Sequence, residues 1–117
     1  MIEKMEKSQG KVLGFRLIGD VSKSDYDVLV PDVQNVIDQE GSAALLLDLK
    51  EFKWEKVEAW GDDLNFGRKY HEKIDKLAIV GDKRWEELLT VFGKAYAQES
   101  KYFHTADIDE AWKWLQE

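Results

Sequence analysis

Two kinds of apolar run alternate along the chain. Ala43-Ala44-Leu45-Leu46-Leu47, closed by Asp48-Leu49, and Leu77-Ala78-Ile79-Val80, closed by Gly81-Asp82, contain no polar alternation. Such runs predict strands buried on both faces, which in a short chain means the middle of a parallel sheet. Lys11 to Ile18 reads differently, with Leu13, Phe15 and Leu17 on one face. It predicts a strand paired antiparallel with a weaker one, Ile2 to Ser8, across the turn signal Gln9-Gly10, with the first strand at or near a charged edge. Gly19-Asp20 closes the second strand, and Lys101 to His104 predicts a last short one.

Between these runs the period changes to that of a helix. Ser24 is placed to cap a helix with Asp27 three residues on, and Leu29, Val33, Val36 and Ile37 recur at helical spacing up to Gly41, a C-terminal stop. Pro31 falls inside this pattern, and it predicts a kink or a main segment that begins after one preliminary turn. A long amphipathic helix is expected from about Glu55 to His71. Asp82 opens another, whose apolar face is Trp85, Leu88, Leu89, Phe92 and Tyr96. Asp107 with Glu110 opens the final helix, which buries Ile108, Ala111, Trp112 and Leu115. The order is β-β-α-β-α-β-α-β-α. It makes an α/β fold with a mixed sheet, an antiparallel N-terminal hairpin followed by strands set parallel by right-handed crossovers. One domain over residues 1–117 is expected.

Composition narrows the function classes. A chain of 117 residues can bury a core without a metal or disulfide, and the absence of cysteine removes thiol chemistry and cysteine-ligated metals. The net charge of −7, with 17 basic residues spread among 24 acidic ones, argues against nucleic acid and against an anionic membrane surface. No run approaches the roughly 20 apolar residues of a membrane span, and the first residues lack a signal peptide's apolar core, so an integral membrane protein is not expected and a cytoplasmic one is.

The element order, together with Leu45-Leu46-Leu47-Asp48-Leu49, Trp54, Ala59-Trp60, Asp62-Asp63, Gly67, His71, Ala78-Ile79-Val80-Gly81-Asp82, Trp85, Tyr102-Phe103 and Ala111-Trp112-Lys113-Trp114-Leu115, resembles the SpoIIAA-like family. These are small bacterial proteins related to STAS domains and, more loosely, to the SEC14 lipid-binding fold. The resemblance implies a sheet of four to five strands with helices mostly on one face, and no enzymatic activity. In STAS domains that answer kinases, a serine stands at the start of the helix after the central strand, where backbone N–H groups and the helix dipole receive the phosphate. The matching positions here are Trp54, Glu55, Lys56 and Val57, and no hydroxyl lies between Leu49 and Gly61. A serine phospho-switch at that place is not expected.

Candidate chemistry is sparse. His71 and His104 have no partner at metal-ligand spacing, and neither a metal nor a cofactor is expected. No nucleophile–base pair, phosphate-binding loop or dinucleotide fingerprint is present, so no catalytic residue is assigned. Asp48 and Asp82 each end a predicted parallel strand and belong to one acidic edge, to which Asp62 is added. Each has a structural reading beside a functional one: accepting hydrogen bonds from the following loop, or capping a helix. The 55–71 helix carries a second apolar strip, Ala59, Phe66 and Tyr70 with Asp63 among them, apart from its Val57–Trp60–Leu64 stripe. That strip must meet a neighbouring helix, another subunit or a ligand, with Trp54, Trp60 and Trp85 near by. The first functional reading is a binding or regulatory module that forms a homodimer or meets a protein partner. The second is a carrier or sensor of a fatty acid or lipid, held between the sheet and the 55–71 helix.

Overall fold

The two runs without alternation form the centre of a five-stranded sheet in the computed structural model, which describes residues 1–55, 72–82 and 97–117, the side chains of residues 23 and 53–55 apart. In chain order the strands are β1 (Ile2–Lys4), β2 (Val12–Leu17), β3 (Gly19–Val21), β4 (Ala43–Asp48), β5 (Phe52–Glu55), β6 (Ile74–Gly81) and β7 (Glu99–His104). The helices are α1 (Lys23–Glu40) and α2 (Ile108–Gln116), the latter entered through a 3-10 turn at Thr105–Asp107. The main sheet has the order β1-β2-β4-β6-β7, antiparallel between β1 and β2 and parallel everywhere else.

Register explains which residues share a face. Phe15, Leu47, Ile79 and Tyr102 form one row across the sheet, and Arg16, Asp48, Val80 and Phe103 the next. Because side chains alternate along a strand, these rows point to opposite faces. On the first face Leu13, Phe15, Leu17, Leu45 and Leu77 join Tyr26, Leu29, Val33 and Ile37 of α1 in one core. On the second, Val12, Ala44, Leu46, Ala78, Val80 and Phe103 are covered by Ala111, Trp112 and Leu115 of α2. The two described helices therefore lie on opposite faces. The helices expected over 55–71 and 82–96 fall almost wholly outside the described residues.

α2 sits close because β2 offers no side chain at Gly14. A Cβ built there would meet Trp112 Cζ2 at 2.8 Å, with Cη2 nearer still, and Met5 Sδ at 3.3 Å. The indole lies where an alanine methyl would stand. At the other end of the helix, Lys76 donates to Trp114 O at 2.9 Å, and its ammonium lies 5.1 Å from the Trp114 ring centroid. A cation at the C-terminal carbonyls suits the helix dipole.

The structure moves several expected boundaries. β1 ends at Lys4 rather than Ser8, after which Met5 N–H donates to Gly14 O and Ser8 Oγ both accepts from Gly14 N and donates to Gly14 O. α1 is capped at Ser22, two residues before the expected Ser24. Ser22 N–H donates to Asp25 Oδ2 at 2.8 Å, so Asp25 fills the role expected of Asp27. The reason is Val21, fully buried in β3, which holds the chain in the sheet up to the cap. The helix continues through Pro31 as one element and stops at Gly41, whose φ of 86° is the left-handed conformation that glycine adopts without steric cost.

β3 and β5 were not expected as strands. They form a separate parallel pair, Gly19 opposite Phe52 and Val21 opposite Glu55. The chain that leaves β4 is thus still extended at Glu55, where a helix was expected to begin.

Candidate functional site

The carboxyl ends of β2, β4 and β6 lie on one edge of the sheet, the usual meeting place of ligands and parallel sheets. Asp48 is the last residue of β4 and the one buried charged residue among those described. Its neighbour in register on β2 is Arg16. The guanidinium donates through Nε to Asp48 Oδ2 at 3.3 Å, and Lys50 N–H donates to Oδ1 at 3.1 Å. One carboxylate thereby ties β2 to β4 and turns the chain into the loop beyond. An unpartnered carboxylate at this depth would be costly, so Arg16 has a clear stabilising role. The Asp48 side chain is 7% exposed and that of Arg16 is 41% exposed, so the pair spans the boundary between core and solvent.

The backbone around this pair is closely bonded. Leu49 N–H donates to Val80 O, Gly19 N–H to Glu51 O, and Phe52 N–H to Leu49 O. Gly81 closes β6, and its carbonyl accepts from Tyr102 Oη at 3.0 Å. Asp82 follows, exposed, on the same edge as Asp48. Asp48 accepts the N–H of Lys50 in the loop that follows it. His104 ends β7 and accepts the Ala106 N–H at Nδ1, which makes it a cap of the 3-10 turn. No group of three or more His, Asp or Glu that could hold a metal gathers among the described residues.

The rest of the expected site lies elsewhere. Ala59, Trp60, Asp62, Asp63, Phe66, Tyr70, His71 and Trp85 are outside the described residues, and of Trp54 only the backbone, in β5, is described. Arg16 was missed. The sequence carried half of the signal, a lone charge inside Val12–Leu17, a segment otherwise apolar; the parallel register that sets it opposite Asp48 belongs to the structure.

Comparison with known proteins agrees with this architecture. A SpoIIAA-like family model matches residues 12–116. No curated protein matches the chain. Among solved structures, an uncharacterized protein from the DUF3478 family with a SpoIIAA-like fold, from Shewanella loihica PV-4, is 26% identical with a TM-score of 0.79, over 97% of this chain and 93% of that one. The anti-sigma factor antagonist SpoIIAA in its unphosphorylated form is 10% identical with a TM-score of 0.66, over 97% and 98%. The Bacillus cell fate determinant SpoIIAA in the phosphorylated form is 9% identical with a TM-score of 0.59, over 86% and 92%. The last two likenesses are of fold.

Proposed function

The chain belongs to the SpoIIAA-like family, and from that premise we propose that it is a non-enzymatic, STAS-type regulatory module that acts by binding, as a homodimer, without a serine switch after its central strand. The observation that carries the reading is the segment after β4. From Leu49 to Gly61 there is no hydroxyl to phosphorylate. The carboxylate that ends β4 is engaged by Arg16 and by the Lys50 N–H, in the manner of a structural group and not of a catalytic one. No helix among the described residues is long and apolar enough to cross a membrane.

The second apolar strip of the 55–71 segment, Ala59, Phe66 and Tyr70, is the surface assigned to self-association. A strip that is not covered within its own chain costs apolar exposure, and a second copy removes that cost. Native mass spectrometry of freshly purified protein tests the reading. A dimer without added mass supports it; a monomer that retains an apolar small molecule replaces it with the carrier of a fatty acid or lipid.

A further inference from the structure

We propose that Arg16, held by Asp48 and with the exposed Lys50 two residues beyond that carboxylate, is a receiving site for a carboxylate group at the carboxyl edge of β2 and β4. Arginine has five N–H donors in a planar fork. The structure gives this one a single hydrogen bond, through Nε, and the four Nη N–H groups have no acceptor among the described residues. The bond to Asp48 uses Nε and holds the guanidinium beside a carboxylate that is itself locked by the Lys50 N–H and by burial. The part-exposed edge is then a preorganised donor pair, whose geometry matches the two oxygens of a carboxylate.

Lys50 adds a second cation. Its backbone N–H is bonded to the same carboxylate, and the residue is exposed. The site stands at the strand ends where parallel sheets meet ligands. It does not depend on self-association, since its three residues lie on β2, β4 and the loop that follows β4. The carboxylate could belong to a small organic acid or to an acidic segment of a protein, and the two are separable by experiment.

The test is a titration of the full chain, uniformly labelled with nitrogen-15, at low and constant ionic strength. Succinate is the first probe and acetyl-tetraglutamate the second, with the Lys50 amide and the Arg16 Nε–Hε resonances followed. Saturable movement of both resonances is expected with at least one probe. A tighter response to the peptide identifies a protein segment as the source, and a tighter response to succinate a small acid. Arg16→Lys, which keeps a cation for Asp48 but removes the fork, should weaken binding at least about tenfold, as expected for loss of a bidentate charged pair. Lys50→Gln alters an exposed side chain and should weaken binding about threefold, an effect of the size of one screened surface charge. Absence of saturation with both probes overturns the proposal, as does unchanged affinity in Lys50→Gln together with a folded Arg16→Lys.

Discussion

Gly14→Ala is the substitution for which the fold makes the sharpest demand. Gly14 lies in β2 without a positive φ, so alanine suits its backbone and the cost is steric. The new methyl would stand 2.8 Å from Trp112 Cζ2 and 3.3 Å from Met5 Sδ. Trp112 is 4% exposed and anchors α2, which leaves the ring little room to retreat without lifting the helix. Overpacking of this kind costs about 1–3 kcal/mol. Loss of glycine's freedom in the unfolded chain offsets roughly 0.5–1 kcal/mol of that. A net destabilisation of about 1–2 kcal/mol is expected, against about 3–5 kcal/mol for Trp112→Ala. In urea unfolding, with a slope of about 1–3 kcal/mol per molar for a small domain, the Gly14→Ala midpoint should fall by roughly 1 M. A double-mutant cycle isolates the cause. Once Trp112 is alanine, Gly14→Ala should become neutral or stabilising, which gives a coupling of about 2 kcal/mol. If Gly14→Ala leaves the wild-type midpoint unchanged or raises it, the close seating of α2 on β2 is wrong.

Three further predictions concern α1 and the buried pair. Gly41→Ala forces a side chain into the left-handed region at φ 86° and should cost about 1–2 kcal/mol by thermal or urea unfolding. Asp25→Asn tests the cap through pH. Burial alone would raise the Asp25 carboxyl, but the Ser22 N–H bond and the Met1 amino group 3.4 Å away outweigh it and hold it below its ordinary value. A carboxyl depressed in the folded state contributes stability that is present above its unfolded value and lost as pH falls through the folded one. The advantage of wild type over Asp25→Asn should therefore be constant near neutrality and shrink below about pH 4, the unfolded range of an aspartate. Arg16→Met leaves Asp48 without its ion pair and should cost about 1–3 kcal/mol, the range for a buried group that loses one partner. Arg16→Met with Asp48→Leu should recover most of that in a urea titration, because the charge is then gone as well.

Much of the fold was legible because its central strands are buried on both faces. A run such as Ala43–Leu47 has no polar residue to place in solvent, and a sheet interior is where it fits. β3 and β5 were not legible. They span 3 and 4 residues, too short to show a period, and they pair with each other across the whole of α1 and β4. The start of α1 was misread because two overlapping serine–aspartate spacings compete, Ser22 with Asp25 and Ser24 with Asp27. What decides between them is the burial of Val21, a tertiary fact. The same holds at the candidate site. Asp48 could be placed at the edge from its position alone, but its partner could be named only once β2 and β4 were known to be parallel with Arg16 opposite Asp48. The apolar strip of Ala59, Phe66 and Tyr70 rests on sequence periodicity, and its role as a self-association surface is part of the proposal.

Sedimentation velocity of the wild-type chain beside Phe66→Glu tests that central claim most directly. A dimer for wild type and a folded monomer for Phe66→Glu, with unchanged circular dichroism, is the predicted result. A wild-type monomer, or a dimer that Phe66→Glu leaves intact, contradicts it.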